Sequence, residues 1–264
     1  MSVTLTPAQE TARYIDGLGP EALAKAQAYT MGNHGLLLAG VLVSVVLAWL
    51  FVRTGILDRI ARRLEGKRWA LATFLTATAF FAIADVIQLP WTIYTDWSRE
   101  RAYGMTQQPL GDFLGQWALS EGIGAVTGGL FMLGIYALIR KSGARWWIWA
   151  TGFTGVVTAI MLLAAPVVIE PLFNEYKPVP PGPVRTALEK IADDVEIPHD
   201  RIFMYDGSRQ SENFTANVSG IGPSARIAIS DVALKEASLD EVKAVTGHEA
   251  GHYKLGHVWR YVVV

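Results

Sequence analysis

Long apolar runs dominate the first two thirds of the chain. Residues 35–52, 122–139 and 146–169 contain no charged side chain, and residues 69–94 contain only Asp85. A bilayer core of about 30 Å needs roughly 20 apolar helical residues, so each run can cross it, the shortest ones with little to spare. Their close succession predicts four membrane-spanning helices rather than the buried helices of a soluble core.

The segment before the first span, residues 1–34, mixes acidic and apolar side chains. It lacks a basic start followed by an apolar core, so no cleavable signal peptide is predicted. The spacing of its apolar residues predicts short amphipathic helices on both sides of a Gly-Leu-Gly-Pro break at residues 17–20. The first span would then act as an uncleaved anchor.

After residue 170 the pattern changes to that of a small mixed domain. Residues 170–183 carry five prolines, which end the preceding helix and predict a stiff, extended connector. The periodicity that follows predicts a helix at 184–195 and strands at 202–205, 214–218 and 226–230. The predicted organisation is an amphipathic segment (1–34), a bundle of four spans (35–170) and a domain over 171–264.

A last helix is predicted to begin at Ser238, which forms a capping-box pattern with Glu241. From there to Val264 only weakly placed glycines interrupt the helical pattern, and residues 258–264 become steadily more apolar. We expect this rising apolar run to be the beginning of a fifth span that continues past Val264.

Composition agrees with a membrane protein, because 51% of the residues are hydrophobic, 18% are charged and the mean hydropathy is +0.27. The bilayer is therefore an expected partner. A net charge of −1 gives no overall attraction to nucleic acid, so nucleic-acid binding is not expected. The absence of cysteine excludes disulfides, thiolate metal ligands and C-terminal prenylation of the chain itself.

The charges of the loops indicate how the spans are oriented. Residues 53–68 carry six Arg or Lys against two acids, and residues 140–145 carry three against none. Residues 91–117 instead carry two Arg against three acids. The positive-inside rule places the two basic loops in the cytoplasm and the residues after 170 on the opposite side.

The sequence TGHEAGHYKLGH at residues 246–257 holds three of the five histidines. His248 and His252 are four residues apart, so on a helix they share one face and can bind a single ion. Glu249 would lie beside that ion, where it can act as the general base toward water. We expect one Zn²⁺ per chain, because His/Glu sites of this kind prefer zinc.

A catalytic zinc usually has three protein ligands, and the third is not evident in the sequence. His257 would lie about 180° from His248 around a continuous helix, so it would face away unless the helix breaks. We expect it to be a polar residue near the helix surface or one that supports a metal ligand. Glu241 lies about 10 Å from His248 along the helix axis, which is too far to reach the ion. The third metal ligand is therefore expected beyond Val264.

Several motifs, in order, resemble the integral-membrane zinc endopeptidases of the CAAX prenyl protease type 1 family. They are LPWTIY at 89–94, QQPLG at 107–111, IEPLFN at 169–174, DGSRQS at 206–211, RIAISD at 226–231 and the histidine-rich stretch at 248–257. The resemblance implies seven spans around an intramembrane chamber with the zinc site at one end. It also implies that His248 and His252 are ligands, that Glu249 is the catalytic base, and that a later glutamate is the third ligand.

The resemblance also points to a substrate-binding strand. Eukaryotic members have Asn-Ala-Tyr in the strand that pairs with substrate, and this chain has Thr215, Ala216 and Asn217 there. Main-chain pairing survives such a change, whereas a preference for prenylated cysteine does not follow from it. The implied substrate is a peptide or protein C-terminus, with or without a prenyl group.

The predicted fold class is mainly α, a multi-span membrane bundle with a small α+β zincin-like (gluzincin) domain. A compact chain with a short N-terminus favours a bacterial inner membrane. Eukaryotic members place zinc on the cytosolic face, opposite to the charge rule, so the side stays open. Two other functions also stay open: a scaffold protein without the third ligand, and a transporter that would tolerate Glu249→Ala.

Overall fold

The computed structural model describes residues 6–220, 224–257 and 260. The elements are α1 (Pro7–Gly17), α2 (Gly19–Thr54), α3 (Ile56–Arg63), α4 (Trp69–Thr92), α5 (Arg99–Ala102), α6 (Leu110–Ser142), α7 (Trp146–Ala164), β1 (Tyr176–Pro178), α8 (Pro183–Asp194), β2 (Ile202–Tyr205), β3 (Ala216–Ser219), β4 (Arg226–Ser230), α9 (Asp231–Glu236) and α10 (Leu239–Lys254). Short π-helical and 3₁₀ turns join α4 to α5 and extend α7 to Leu172. The predicted fold class is confirmed, because a helical bundle is followed by a small sheet with helices.

Helices α1 and α2 form the N-terminal arm. The predicted break is present, because α1 ends at Gly17 and α2 begins at Gly19, whose φ is +82°. Pro20 lies in the first turn of α2, where its missing N–H has no helical partner to lose. The prediction of a second short helix is wrong, because α2 continues through the first apolar run as a single helix of 36 residues.

Three helical stretches among the described residues are long and apolar enough to cross a membrane: Gly19–Thr54, Trp69–Ala102 and Leu110–Leu172. The third is 63 residues long and contains two of the predicted spans. It folds back on itself near Gly143, because Phe131 and Phe153 stack with ring centroids 5.6 Å apart. A straight helix would hold those residues about 33 Å apart. The four predicted apolar runs therefore lie in four separate helices, α2, α4, α6 and α7.

Helices α4 and α6 make the most extensive helix–helix contact in the bundle. Glycine permits their close approach, since a Cβ on Gly129 would lie 2.1 Å from Thr78 Oγ1. Small residues have this role in many membrane helix pairs. Asp85, the charged residue of the second apolar run, interacts with Glu121 of α6, so its carboxyl group lies beside a carboxyl group of another span.

The last third of the chain, from residue 171 onward, carries the histidine-rich motif and is called the metal domain; it contains a four-stranded sheet in the order β1-β2-β4-β3. Strands β2 and β4 are parallel, and the other two pairs are antiparallel. The core side chains include the fully buried Leu188, Ile202, Ile227, Ile229 and Val242, which join α8 and α10 to the sheet. The strands predicted at 202–205 and 226–230 are confirmed. Strand β1 was not predicted, because it lies in the proline-rich connector.

Helix α10 begins as predicted and ends earlier than predicted. Glu241 N donates to Ser238 Oγ at 3.3 Å, and Ser238 N donates to Glu241 Oε2 at 2.8 Å, which completes the capping box. The helix ends at Lys254, and Gly256 takes a φ of +64° that favours glycine. The prediction of an uninterrupted helix to Val264 is therefore wrong. The predicted fifth span, residues 258–264, lies outside the described residues except for Arg260.

Candidate metal centre

Helix α10 directs two imidazoles toward one point. The Nε2 atoms of His248 and His252 are 3.0 Å apart, and their ring planes meet at 74°. Two nitrogens that each lie about 2.0–2.1 Å from a tetrahedral zinc are roughly 3.3 Å apart. The pair therefore fits a single zinc ion with a small adjustment of the rings.

The buried face of α10, opposite to the two histidines, fixes the helix in the domain. Val242, Thr246 and Ala250 recur every fourth residue and are buried against the sheet and α8. At the C-terminal end of the helix, Lys254 Nζ donates to the carbonyl oxygen of Asp194 at 2.6 Å. The motif side chains consequently lie on the accessible side, with His248 exposed and Glu249 half-buried.

His257 does not face away from the two histidines, because the helix breaks before it. The turn at Gly256 returns the His257 ring to His252, with the two Nδ1 atoms 2.7 Å apart. His252 thus has Nε2 directed toward His248 and Nδ1 directed toward His257. A hydrogen bond to the second ring nitrogen of a metal-binding histidine fixes its tautomer and its orientation. His257 fits that role better than the role of a third ligand.

Within the described ranges no group of three or more His, Asp or Glu side chains could hold a metal ion. Glu241, in the first turn of α10, is occupied by the cap at Ser238. The third ligand expected beyond Val264 stays a prediction.

Strand β3 is an edge of the sheet and lies against α10. Ser230 N donates to Thr215 O at 2.8 Å, and Thr215 N donates to Ser230 Oγ at 3.1 Å, so the main chain of Thr215 is already bonded on the β4 side. Facing pairs in an antiparallel ladder alternate between bonded and non-bonded. Asn217 therefore also faces β4, whereas the main-chain groups of Ala216 and Val218 point to the open edge.

This alternation revises the predicted substrate strand. Of Thr215, Ala216 and Asn217, only Ala216 can pair with an added strand through its main chain. Val218 is the second residue whose main chain is open in this way, and the sequence did not point to it; substrate binding at this edge stays a prediction. The signal that identifies it is the register of β3 with β4, which a single sequence does not contain.

A cavity of about 1030 Å³ separates the bundle from this end of the metal domain. Helix α7, the end of β3 and the end of α10 form its walls, including Val157, Met161, Leu162, Val218, Tyr253 and Gly256. The open edge of β3 and the C-terminal end of the motif helix thus border one space that an apolar membrane helix also lines.

The DGSRQS segment fastens the metal domain to the bundle. Arg209 forms an ion pair with Asp112, at the start of α6. Beside it, Thr106 Oγ1 donates to Gln210 O at 2.6 Å, and Glu212 N donates to Met105 O at 3.0 Å. These contacts give the DGSRQS and QQPLG motifs a shared structural role, which is to dock the metal domain onto the bundle.

A second group of side chains joins the connector to the sheet. Arg226 Nη2 and the Tyr176 hydroxyl both donate to Glu170 Oε2 at 2.6 Å, and the guanidinium lies 4.3 Å from the centre of the Tyr176 ring. Burial raises the pKa of Tyr176, and its hydrogen bond to Glu170 raises it further. The tyrosine therefore remains a neutral donor in this group, which links the IEPLFN and RIAISD motifs.

Comparison with known families agrees with this division of the chain. The CAAX prenyl protease N-terminal region, described as five membrane helices, matches residues 6–175, and peptidase family M48 matches residues 180–264. The chain belongs to the CAAX prenyl protease family of M48 peptidases. As a member of that family it is an integral membrane protein.

Relatives of this M48 chain occur in plants and bacteria. It is 27% identical over 214 residues to a CAAX prenyl protease 1 homolog of Arabidopsis thaliana, covering 80% of this chain and 50% of the relative. It is 26% identical over 247 residues to the uncharacterized metalloprotease YhfN of Bacillus subtilis, covering 91% and 57%. The chain spans about half the length of the curated relatives that it matches.

The fold of this M48 chain matches the crystal structure of S. mikatae Ste24p with a TM-score of 0.81 at 22% identity. The match covers 99% of this chain and 62% of the other. At that identity the likeness shows the fold, and the assignment of site residues depends on the geometry described above.

Proposed function

We propose that this M48 chain is part of a zinc endopeptidase that hydrolyses peptide bonds of peptides or protein C-termini in a membrane chamber. The observation that carries the proposal is the convergence of the His248 and His252 Nε2 atoms, 3.0 Å apart, with His257 on the far side of the His252 ring. Zinc bound there would polarise the scissile carbonyl and make water more acidic. Membership of a family of membrane metallopeptidases supports this reading.

Each side chain of the motif has its own role in this proposal. His248 and His252 would hold the ion, and His257 orients the His252 ring through its Nδ1 atom. Glu249 accepts the proton of the attacking water, as the glutamate of this motif does when it acts as general base. For the third ligand we propose a glutamate beyond Val264, in accord with the two-histidine set among the described residues.

The substrate would bind as an extended strand beside β3. The outward main-chain groups of Ala216 and Val218 provide donors and acceptors for it, as in other cases of strand addition. The adjoining cavity is lined on one side by the apolar face of α7, which suits an apolar or prenylated residue in the bound segment. CAAX-type processing is therefore the substrate class that we propose. The similarity to a Bacillus subtilis protein supports a bacterial inner membrane as its location.

The test uses the detergent-purified protein extended past Val264 and a fluorogenic peptide, with and without a farnesylated cysteine. Glu249→Gln should lower hydrolysis by about 10²–10⁴-fold without loss of zinc, and His252→Ala should lose both. Glu241→Gln, on the same helix but confined to its cap, is the matched control and should keep activity. Zinc-loaded protein that cleaves neither peptide would instead favour a scaffold, and an unaffected Glu249→Gln would contradict the assigned base.

A further inference from the structure

A second cavity lies at the opposite end of the bundle from the metal domain. It has a volume of about 400 Å³ and is lined mostly by apolar side chains from α3, α4 and α6, among them Leu57, Ala61, Ala72, Phe80, Met132 and Tyr136. This volume falls in the range of pockets that hold small ligands, about 300–1,000 Å³. Helix α3 forms one wall, between the end of the first span and the start of the second.

The chain segments next to this cavity are strongly basic. Six Arg or Lys against two acids occur in residues 53–68, and three against none in residues 140–145. The side chains concerned are exposed: Arg53, Arg59, Arg62, Arg63, Lys67, Arg68, Arg140, Lys141 and Arg145. Both segments adjoin the ends of the helices that line the cavity, α3, α4 and α6, so these cations form a rim at the same end of the bundle as the apolar space.

Most of this positive charge is not neutralised by ion pairs among the residues that the structure describes. Arg62 pairs with Asp58, and Arg140 stacks over the Trp69 ring at 4.9 Å, which ties the end of α6 to the start of α4. Arg63, Lys67 and Arg68 form no ion pair with any described residue. The rim therefore offers several cations to a ligand whose head is anionic.

We propose that this cavity binds one acyl chain of an anionic glycerophospholipid, whose phosphate lies against the basic rim. Helix α3 is amphipathic and lies where two spans leave the membrane, which is the depth of lipid headgroups. Basic residues at that depth attract anionic lipid, with a gain in binding of about fivefold for each residue. A soluble acidic ligand would use the charges but leave the apolar walls empty.

In the experiment the protein is reconstituted into vesicles with equal amounts of phosphatidylglycerol and phosphatidylcholine and is then extracted again. Native mass spectrometry counts the lipids of each kind that stay bound to it. We expect phosphatidylglycerol to be retained in preference to phosphatidylcholine. Arg63→Glu should lower that preference by about fivefold or more, while Lys190→Glu, the same charge change in α8, leaves it unchanged.

Two alanines of α4 test whether lipid binds in the cavity. Ala77 lines it and Ala82 lies outside it, exposed on the same helix. Ala77→Leu should reduce retention of both lipids, and Ala82→Leu should not. Equal retention of the two lipids by the unaltered chain would overturn the proposal, as would equal effects of the two leucine substitutions. Arg63→Glu changes an exposed residue, so its result decides the headgroup claim even if Ala77→Leu does not fold.

Discussion

The metal domain and the membrane bundle place their large apolar side chains in opposite environments. In the metal domain Leu188 and Val242 have no exposed surface, whereas in the bundle Leu38 and Leu42 are 70% and 67% exposed. The domain is therefore held by burial of apolar side chains away from water. The bundle is held by close contacts of small residues such as Gly129, and its leucines face the bilayer. Leucine thus stabilises the metal domain by being buried, whereas in the bundle it provides apolar surface for contact with lipid.

The largest expected difference is in the stability change caused by replacing one leucine of each region. Leu188→Ala should lower the free energy of unfolding of the metal domain by about 2–5 kcal/mol, because it leaves a cavity in a closed core. Leu42→Ala should change the stability by less than about 0.5 kcal/mol. Amide hydrogen exchange of both variants in detergent, followed separately in the domain and in the bundle, measures the difference. Equal losses would mean that the bundle has a core like that of the domain.

A second comparison uses two glycines of α6. A Cβ at Gly129 would lie 2.1 Å from Thr78 Oγ1, whereas a Cβ at Gly122 meets nothing within 4 Å. Gly129→Ala should therefore destabilise the bundle by about 1–3 kcal/mol through overpacking. Gly122→Ala should be neutral or slightly stabilising, because alanine favours the helix. Thermal unfolding of the two variants checks this, and a destabilised Gly122→Ala would show that helix contact is not the cause.

The third prediction concerns the metal site. His257→Ala should weaken zinc binding by about 10–100-fold, since it removes the hydrogen-bond partner of a ligand. His199→Ala is the matched control, because His199 pairs with Asp193 and not with a histidine of the motif. Competition with a chromophoric chelator, in protein extended past Val264, gives both affinities. An unchanged affinity in His257→Ala would remove His257 from the site.

The smallest effect concerns a carboxylate at the start of α9. Burial raises the pKa of Asp231, but hydrogen bonds from Lys235 and Ser208 outweigh it and bring the pKa to about 2, below its ordinary 3.8. Because the folded pKa is the lower one, its stabilising contribution is present above pH 3.8 and is lost as the pH falls toward 2. Asp231→Asn should cost about 1–2 kcal/mol at pH 7.

Unfolding of Asp231→Asn and of the unaltered protein between pH 7 and pH 2 tests this. The two stability curves should converge at the acidic end, where the aspartate is protonated. A constant separation over the whole range would show that the loss comes from packing and not from the charge.

Local patterns in the sequence predicted much of this fold. The apolar runs, the capping box at Ser238 and the strands at 202–205 and 226–230 depend on periodicity and on short-range contacts, which a sequence displays directly. The reversal at Gly143 and the end of α10 at Lys254 depend on single glycine conformations, which the patterns did not resolve. The same turn places His257 beside His252, an arrangement that the sequence patterns left open.

The candidate site divides in the same way. His248, Glu249 and His252 follow from their spacing on a helix, whereas the outward main chain of Val218 depends on strand register between distant segments. The docking contact of Arg209 with Asp112 joins residues 97 positions apart, and no periodicity predicts it.

The most direct test of the central claim is the zinc content of detergent-purified protein, for this chain and for a form extended past Val264. We predict about one zinc per chain in the extended form, its loss in His252→Ala, and little zinc in the shorter form because the proposed third ligand lies past Val264. Tight binding of one zinc by the shorter form would contradict the proposed third ligand. Absence of zinc from both forms would contradict the metallopeptidase itself.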